Sequence, residues 1–139
     1  MNNSSVWKSL RNEATAVASR ERILAKVLTE YVLERSSLED ALSWRLSSRL
    51  AKGAVPSNDL RELLLHAYDS VPTIIKSIER DLEAVKERDP ACDDFLSPFL
   101  YFKGFQALSA YRVSNWLWLE GRKDLALYLQ SLISVVYGV

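Results

Sequence analysis

Apolar residues recur at three- and four-residue intervals along nearly the whole chain, and capping or breaking residues interrupt the repeat at a few points. Ser5 opens a first helix running to about Ala18, with Val6, Leu10, Ala14 and Val17 on one face. Ser19 is placed to cap a second, whose stripe is Ile23, Leu24, Val27, Leu28, Tyr31 and Val32. Ser36-Ser37-Leu38-Glu39 has capping-box spacing: a Ser oxygen accepts the orphan amide protons while Glu39 reaches back. The third helix that follows carries Leu38, Ala41, Leu42, Leu46 and Leu50 and ends near Gly53. Pro56-Ser57-Asn58-Asp59 reads as a turn before a fourth helix with the stripe Leu60, Leu63, Leu64, Ala67 and Tyr68.

Val71-Pro72 restarts the chain, with Pro in a first turn where its missing amide proton costs nothing. A fifth helix runs from Thr73 to about Glu87, and Asp89-Pro90 stops it because a residue before Pro avoids helical angles. Ala91 to Phe99 reads as a loop with room for one short helical turn. Leu100 to Glu120 then predicts one long helix, ended by Gly121 in a left-handed conformation, and a last helix covers about Arg122 to Val136. Only four Gly and four Pro punctuate this Leu-, Ala-, Glu-, Lys- and Arg-rich chain, and no alternating strand pattern persists. The expected fold is all-α, about seven helices in a single domain over residues 1–139.

The penultimate helix is apolar nearly all round: Phe99, Leu100, Tyr101, Phe102, Phe105, Leu108, Tyr111, Val113, Trp116, Leu117, Trp118 and Leu119 leave little polar face. A central core helix has that pattern. So does a helix that meets a second subunit or another domain, since Trp and Tyr favour interfaces. The two readings are compatible.

Composition narrows the function. Eighteen basic residues balance 18 acidic ones, and Arg88, Lys103, Arg112, Arg122 and Lys123 are scattered, which argues against a nucleic-acid binder. A helical DNA-binding protein would rest on helix content alone. No apolar run approaches a membrane span, and Met1-Asn2-Asn3-Ser4-Ser5 shows no leader pattern. One cysteine, Cys92, excludes an internal disulfide and fits a reducing compartment, so a cytoplasmic location is expected. With one His and one Cys, a metal site would need carboxylates almost alone, and no such cluster stands out.

Candidate chemistry is sparse. His66 lies beside its helix stripe with Glu62 four residues earlier, a spacing common on helix surfaces. Cys92 follows a helix end, whereas an activated thiol usually sits at a helix N-terminus or near a cation; Arg88 is the nearest candidate. Asp89, Asp93 and Asp94 crowd one loop after Glu87 and Arg88. They read either as a polar turn or as a site for a cationic group such as an amine.

The stretch Asp81-Leu82-Glu83-Ala84-Val85-Lys86-Glu87-Arg88-Asp89-Pro90-Ala91-Cys92 resembles the Asp-x-x-Ala-Val-x-x-Arg-Asp-Pro-Ala segment of serine O-acetyltransferases. The likeness continues through Tyr101 to Leu108, Ala110 to Val113, Trp116-Leu117-Trp118, Gly121-Arg122, Leu125-Ala126, Leu129-Gln130 and Ser134-Val135. Earlier pieces agree too: Val6-Trp7, Glu13-Ala14, Ser37-Leu38, Ala41-Leu42, and Leu46 to Leu50. The ordered set spans nearly the whole chain. One departure is Asn115, where the family pattern has His before Trp-Leu-Trp.

The resemblance implies an N-terminal helical domain joined, in the family, to a left-handed β-helix of hexapeptide repeats. That enzyme is an acyltransferase of cysteine biosynthesis, moving the acetyl group of acetyl-CoA to the hydroxyl of L-serine. An Asp-polarised His deprotonates the hydroxyl, and the alkoxide attacks the thioester. Both members of that pair, and the acetyl-CoA groove, are expected beyond Val139, leaving no catalytic residue, cofactor site or metal site in this chain. The helical domain contributes the Asp of its Arg-Asp-Pro motif to the serine site. This maps onto Asp89, with Arg88 and Pro90 supporting it by ion pairing and by ending the helix. The family also implies L-cysteine as feedback inhibitor and a homo-oligomer, the family hexamer, formed through the helical domains. Docking to cysteine synthase is expected only where the family's C-terminal tail is present. An alternative from another class is a free-standing, non-catalytic helical module that associates with full-length acetyltransferase subunits. From either reading, purified 139-residue protein is expected to release no CoA from acetyl-CoA plus serine; a thiol-trapping assay checks this.

Overall fold

The computed structural model describes residues 4–139. The leader reading of Met1 to Asn3 lies outside the described residues. Helix α1 spans Ser5–Arg20, and the Ser4 hydroxyl accepts the Trp7 amide proton at 3.1 Å to cap it. Ser19 does not cap a second helix. It lies in the last turn of α1, its hydroxyl donating to the Thr15 carbonyl at 3.0 Å, and the chain breaks at the extended Glu21. A 3-10 turn (Arg22–Leu24), the short helix α2 (Ala25–Leu28) and a π turn (Thr29–Leu33) follow. The tighter 3-10 winding shifts Ile23 off the expected stripe, leaving it 91% exposed. One guanidinium nitrogen of Arg11 reaches across to the carbonyls of Leu33 and Arg35, each at 3.2 Å, and so ties α1 to the C-terminal end of the π turn.

Helix α3 spans Leu38–Leu50. Its cap is Ser37, one residue past the Ser36–Glu39 box expected, and the Ser37 oxygen accepts the Asp40 amide at 3.0 Å. The reciprocal acid is Asp40 rather than Glu39: its carboxylate accepts the Ser36 amide at 2.9 Å. Asp40 stands at the third helical position, where a side chain turns back toward the helix start. Helices α4 (Ser57–Ser70) and α5 (Pro72–Arg88) follow, with Pro72 in the first turn of α5 as its chemistry demands.

The expected loop and long helix after Pro90 are divided differently. Helix α6 spans Leu96–Tyr101, the chain breaks at the extended Phe102, and α7 spans Lys103–Leu119. This break adds an eighth α-helix among the described residues, and the residue at the break, Phe102, is neither Pro nor Gly. What holds it is side-chain capping. The amide of Gln106, fully buried, donates to the carbonyls of Phe99 at 2.9 Å and Leu100 at 2.8 Å, and the Arg45 guanidinium also donates to Leu100. These are the carbonyls that a helix end leaves without partners. At the other end of α6, one carboxylate oxygen of Glu13 accepts the amides of Phe95 and Leu96, both at 3.0 Å. Burial raises the pKa of this carboxyl above its ordinary value despite the two donors.

Gly121 ends α7 with φ 82°, the left-handed conformation expected of it. The Arg122 amide bonds to Leu117 at 2.9 Å and the Gly121 amide to Trp118 at 3.1 Å, pairing carbonyls that the helix end frees. Helix α8, Lys123–Tyr137, then packs back along α7. Small buried residues on α7 (Ala107, Ser109, Ala110 and Ser114) lie on its packed side, and the Ser114 hydroxyl bonds to the Ala126 carbonyl at 3.0 Å. Helix α7 also touches α4, α5 and α6, so it is the central element. Its apolar residues divide between the core (Phe105, Val113, Leu117) and the surface, where Tyr111, Trp118 and Leu119 are exposed. No described helix is long and apolar enough to cross a membrane.

Replacing Gln106 with Leu orphans the buried Phe99 carbonyl, and the expected loss is about 1–3 kcal/mol of stability in urea unfolding. An apolar side chain of similar bulk should keep the fold intact by circular dichroism.

Candidate functional site

Helix α5 delivers its C-terminal residues to one edge of the molecule. Asp89 is the cap residue, in extended conformation (φ −95°, ψ 108°) as the following Pro requires, and its amide still bonds to the Val85 carbonyl at 3.0 Å. Its carbonyl accepts the Cys92 amide at 3.0 Å, and its Oδ1 accepts the Ala91 amide at 2.9 Å. The side chain is thereby fixed in an Asx turn, with Oδ2 free of protein donors among the described residues.

A groove of about 650 Å³ runs between α5 and α7 beside this turn. Asp81, Ala84, Val85 and Arg88 line it from α5 at helical spacing, and Phe102, Gly104, Phe105 and Leu108 line it from the α6–α7 break and α7. Asp89 and Pro90 form its lip. The lining carries carboxylates, a guanidinium and apolar groups, with no imidazole, thiol or hydroxyl. Such an arrangement can hold a small cationic group, and it offers no histidine base for proton transfer.

The three clustered aspartates have different occupations. Asp94 caps α6: its carboxylate accepts the Ser97 amide at 3.1 Å and the Ser97 hydroxyl at 3.2 Å. Asp93 is exposed, and Asp89 alone of the three lines the groove. Arg88 lines the groove without pairing with Asp89. Among the described residues the ion pair that forms is Arg112–Asp81, bidentate, with both bonds at 3.0 Å. Both residues lie in the family-like segments, where nothing in the sequence marks either for a role. Their 31-residue separation hides the contact, although Asp81 shares the face of Ala84, Val85 and Arg88.

The remaining candidates lie elsewhere. His66 is exposed, edge-on to Trp116 with ring centres 5.7 Å apart, and borders a separate cleft with Ser36, Ser37, Glu39, Asp40 and Asp69. Cys92 is buried and its thiol donates to the Asp94 carbonyl at 3.3 Å. Asn115 lines a smaller hollow of about 220 Å³ that includes Arg112 and Trp116. No group of three or more His, Cys, Asp or Glu is placed to hold a metal ion among the described residues.

Fold and groove together define an all-helical domain that presents one fixed carboxylate beside an apolar trough. The family described as "Serine acetyltransferase, N-terminal" matches residues 6–110, and the chain belongs to that family. Serine acetyltransferases of Salmonella typhimurium and Haemophilus influenzae are each 42% identical over 134 residues, 96% of this chain and 49% and 50% of theirs. A probable serine acetyltransferase of Oryza sativa is 43% identical over 135 residues, covering 96% of this chain and 45% of that protein. The chain thus spans about half the length of the curated relatives it matches. Two solved structures are similar over the full chain at 42% identity. One is a serine acetyltransferase in complex with cysteine (TM-score 0.94, 57% of that chain), the other the Neisseria gonorrhoeae enzyme in complex with serine (TM-score 0.93, 59% of that chain).

The division of labour among the aspartates is measurable. Asp94→Ala should cost about 1 kcal/mol through loss of the α6 cap. Asp93→Ala should change stability by less than about 0.5 kcal/mol. Thermal or urea unfolding of the two variants checks both.

Proposed function

We propose that this chain is the helical half of a serine O-acetyltransferase and that Asp89 is its contribution to the serine site. The observation that carries the reading is the Asp89 carboxylate. It is fixed through Oδ1, open at Oδ2, and set on the lip of a groove in a fold shared along its whole length with an enzyme described in complex with serine. An ammonium group has the charge and donor geometry for that oxygen. The same anchor accounts for inhibition by L-cysteine, which carries the identical amino-acid backbone. Pro90 supports the site by ending α5 and holding Asp89 extended, while Arg88 adds a cation to the same lip.

Acetyl-CoA and the proton-transferring His–Asp pair belong, in this reading, to the hexapeptide-repeat half of the enzyme. The acetyl transfer from CoA sulfur to the serine oxygen takes place there, in the cytoplasm, with this domain orienting the acceptor. Its outward stripe on α7 (Leu108, Tyr111, Trp118 and Leu119) supports association into a homo-oligomer, since exposed apolar groups along one helix face mark contact surfaces.

The test joins residues 1–139 to the repeat half of the Haemophilus influenzae relative and measures steady-state kinetics. Asp89→Asn should raise the KM for serine by about 10- to 100-fold, the value of one charge-assisted hydrogen bond, with the KM for acetyl-CoA changed by less than about threefold. An unchanged serine KM would remove Asp89 from the site.

A further inference from the structure

The Asp81–Arg112 pair stands at a particular place on the α5–α7 seam. The groove lined by Asp81, Phe105 and Leu108 opens on one side of it, and the smaller hollow lined by Arg112 and Asn115 on the other. Phe105, Leu108 and Arg112 succeed one another on one face of α7, as Asp81, Ala84, Val85 and Arg88 do on α5. The helices run antiparallel, with Asp81 opposite Arg112 and Asp89 toward the Phe102 end. Ile78 and Leu82 pack the buried side of α5, and at the groove edge of the seam two hydrogen bonds of 3.0 Å in a fork tie α5 to α7 in distance and in angle.

We propose that Arg112, through Asp81, is a positioning residue for Asp89: the pair sets the spacing of α5 from α7 and with it where the Asp89 carboxylate meets the ammonium of the amino-acid substrate. This rests on Asp89 being the serine ligand. The eight steps from Asp81 to Asp89, helical as far as Arg88, form a lever of about 12 Å, so a small opening at the pair is carried to the lip. An error of about 1 Å in a ligand-holding group is enough to cost up to about a hundredfold. Both side chains are partly exposed, 31% for Arg112 and 18% for Asp81, so the pair contributes geometry more than stability.

The experiment has two readouts. In the 139-residue chain itself, hydrogen exchange is followed at the amides of Asp89 and Cys92, which close the turn, and in α3 and α4 as a reference. Arg112→Ala should speed exchange at the turn and leave the reference helices unchanged. In the joined enzyme, Arg112→Ala and Asp81→Ala should each raise the serine KM by about 5- to 20-fold with kcat within about threefold, and the double variant should be no worse than either single one. Exchanging the two residues, Asp81→Arg with Arg112→Asp, should return the KM to within about threefold of the starting value. Arg112→Lys, which keeps the charge and one bond, should fall between and serves where the Ala variant unfolds. Loss of melting temperature with an unchanged serine KM, or exchange that rises equally in all helices, would overturn the proposal. Asp89→Asn measured alongside separates the failures. If it raises the serine KM and the Arg112 variants do not, the positioning role alone is wrong; if Asp89→Asn has no effect, the serine assignment is wrong and this inference goes with it.

Discussion

The architecture depends on two carbonyl groups. Where α6 ends, Phe99 and Leu100 present oxygens that no helical amide can reach, in a part of the molecule closed to water. A buried carbonyl left unpaired is costly enough that the chain would otherwise run on as helix. Gln106 and Arg45 supply the missing donors, one from the next helix and one from α3. That allows α7 to start on a new axis. The new axis lets α7 lie against α8 on one side and α5 on another, and it places Phe102, Gly104 and Phe105 opposite the end of α5. The groove is a consequence of that turn. A single uninterrupted helix from Leu96 to Leu119 would leave Asp89 without an opposing wall.

A second constraint acts on the other side of the groove. Pro90 forces Asp89 out of helical angles, so the side chain that ends α5 folds onto the Ala91 amide and is held there. A carboxylate fixed in this way loses little conformational freedom on meeting a cation. The neighbouring aspartates show the contrast. Asp94 already spends its acceptors on Ser97, and Asp93 faces solvent. Of three like residues within six positions, local hydrogen bonding leaves one suited to binding, and it is the residue of the Arg-Asp-Pro motif.

Much of this was legible in the sequence wherever the cause is local. Helix periodicity, the Pro72 start, the Asp89-Pro90 stop and the Gly121 left-handed end each depend on residues within a turn or two, and the structure has them. Asp89 itself was reachable through its motif. The features that escaped have distant or competing causes. The break at Phe102 depends on Arg45, 55 residues away from Leu100. Glu13 caps α6 from 82 residues before Phe95, and no spacing rule pairs them. Ser19 has the residue type of a cap, yet its hydroxyl satisfies the Thr15 carbonyl inside α1. At α3 the box lies one residue later than its spacing predicts, at Ser37 and Asp40, because Ser36 and Ser37, like Glu39 and Asp40, both suit a helix start and only the fold chooses between them. Sequence also could not show that Asp81 takes Arg112, leaving Arg88 free on the groove.

If the helical domain supplies a carboxylate to the bound amino acid, the two must meet at Asp89. The most direct measurement is a crystal structure of the joined enzyme with serine bound, read at the Asp89 side chain. The serine nitrogen is expected about 2.7–2.9 Å from Asp89 Oδ2, with Oδ1 still on the Ala91 amide. Serine bound with its nitrogen more than about 4 Å from Asp89, anchored wholly by the repeat half, would contradict it.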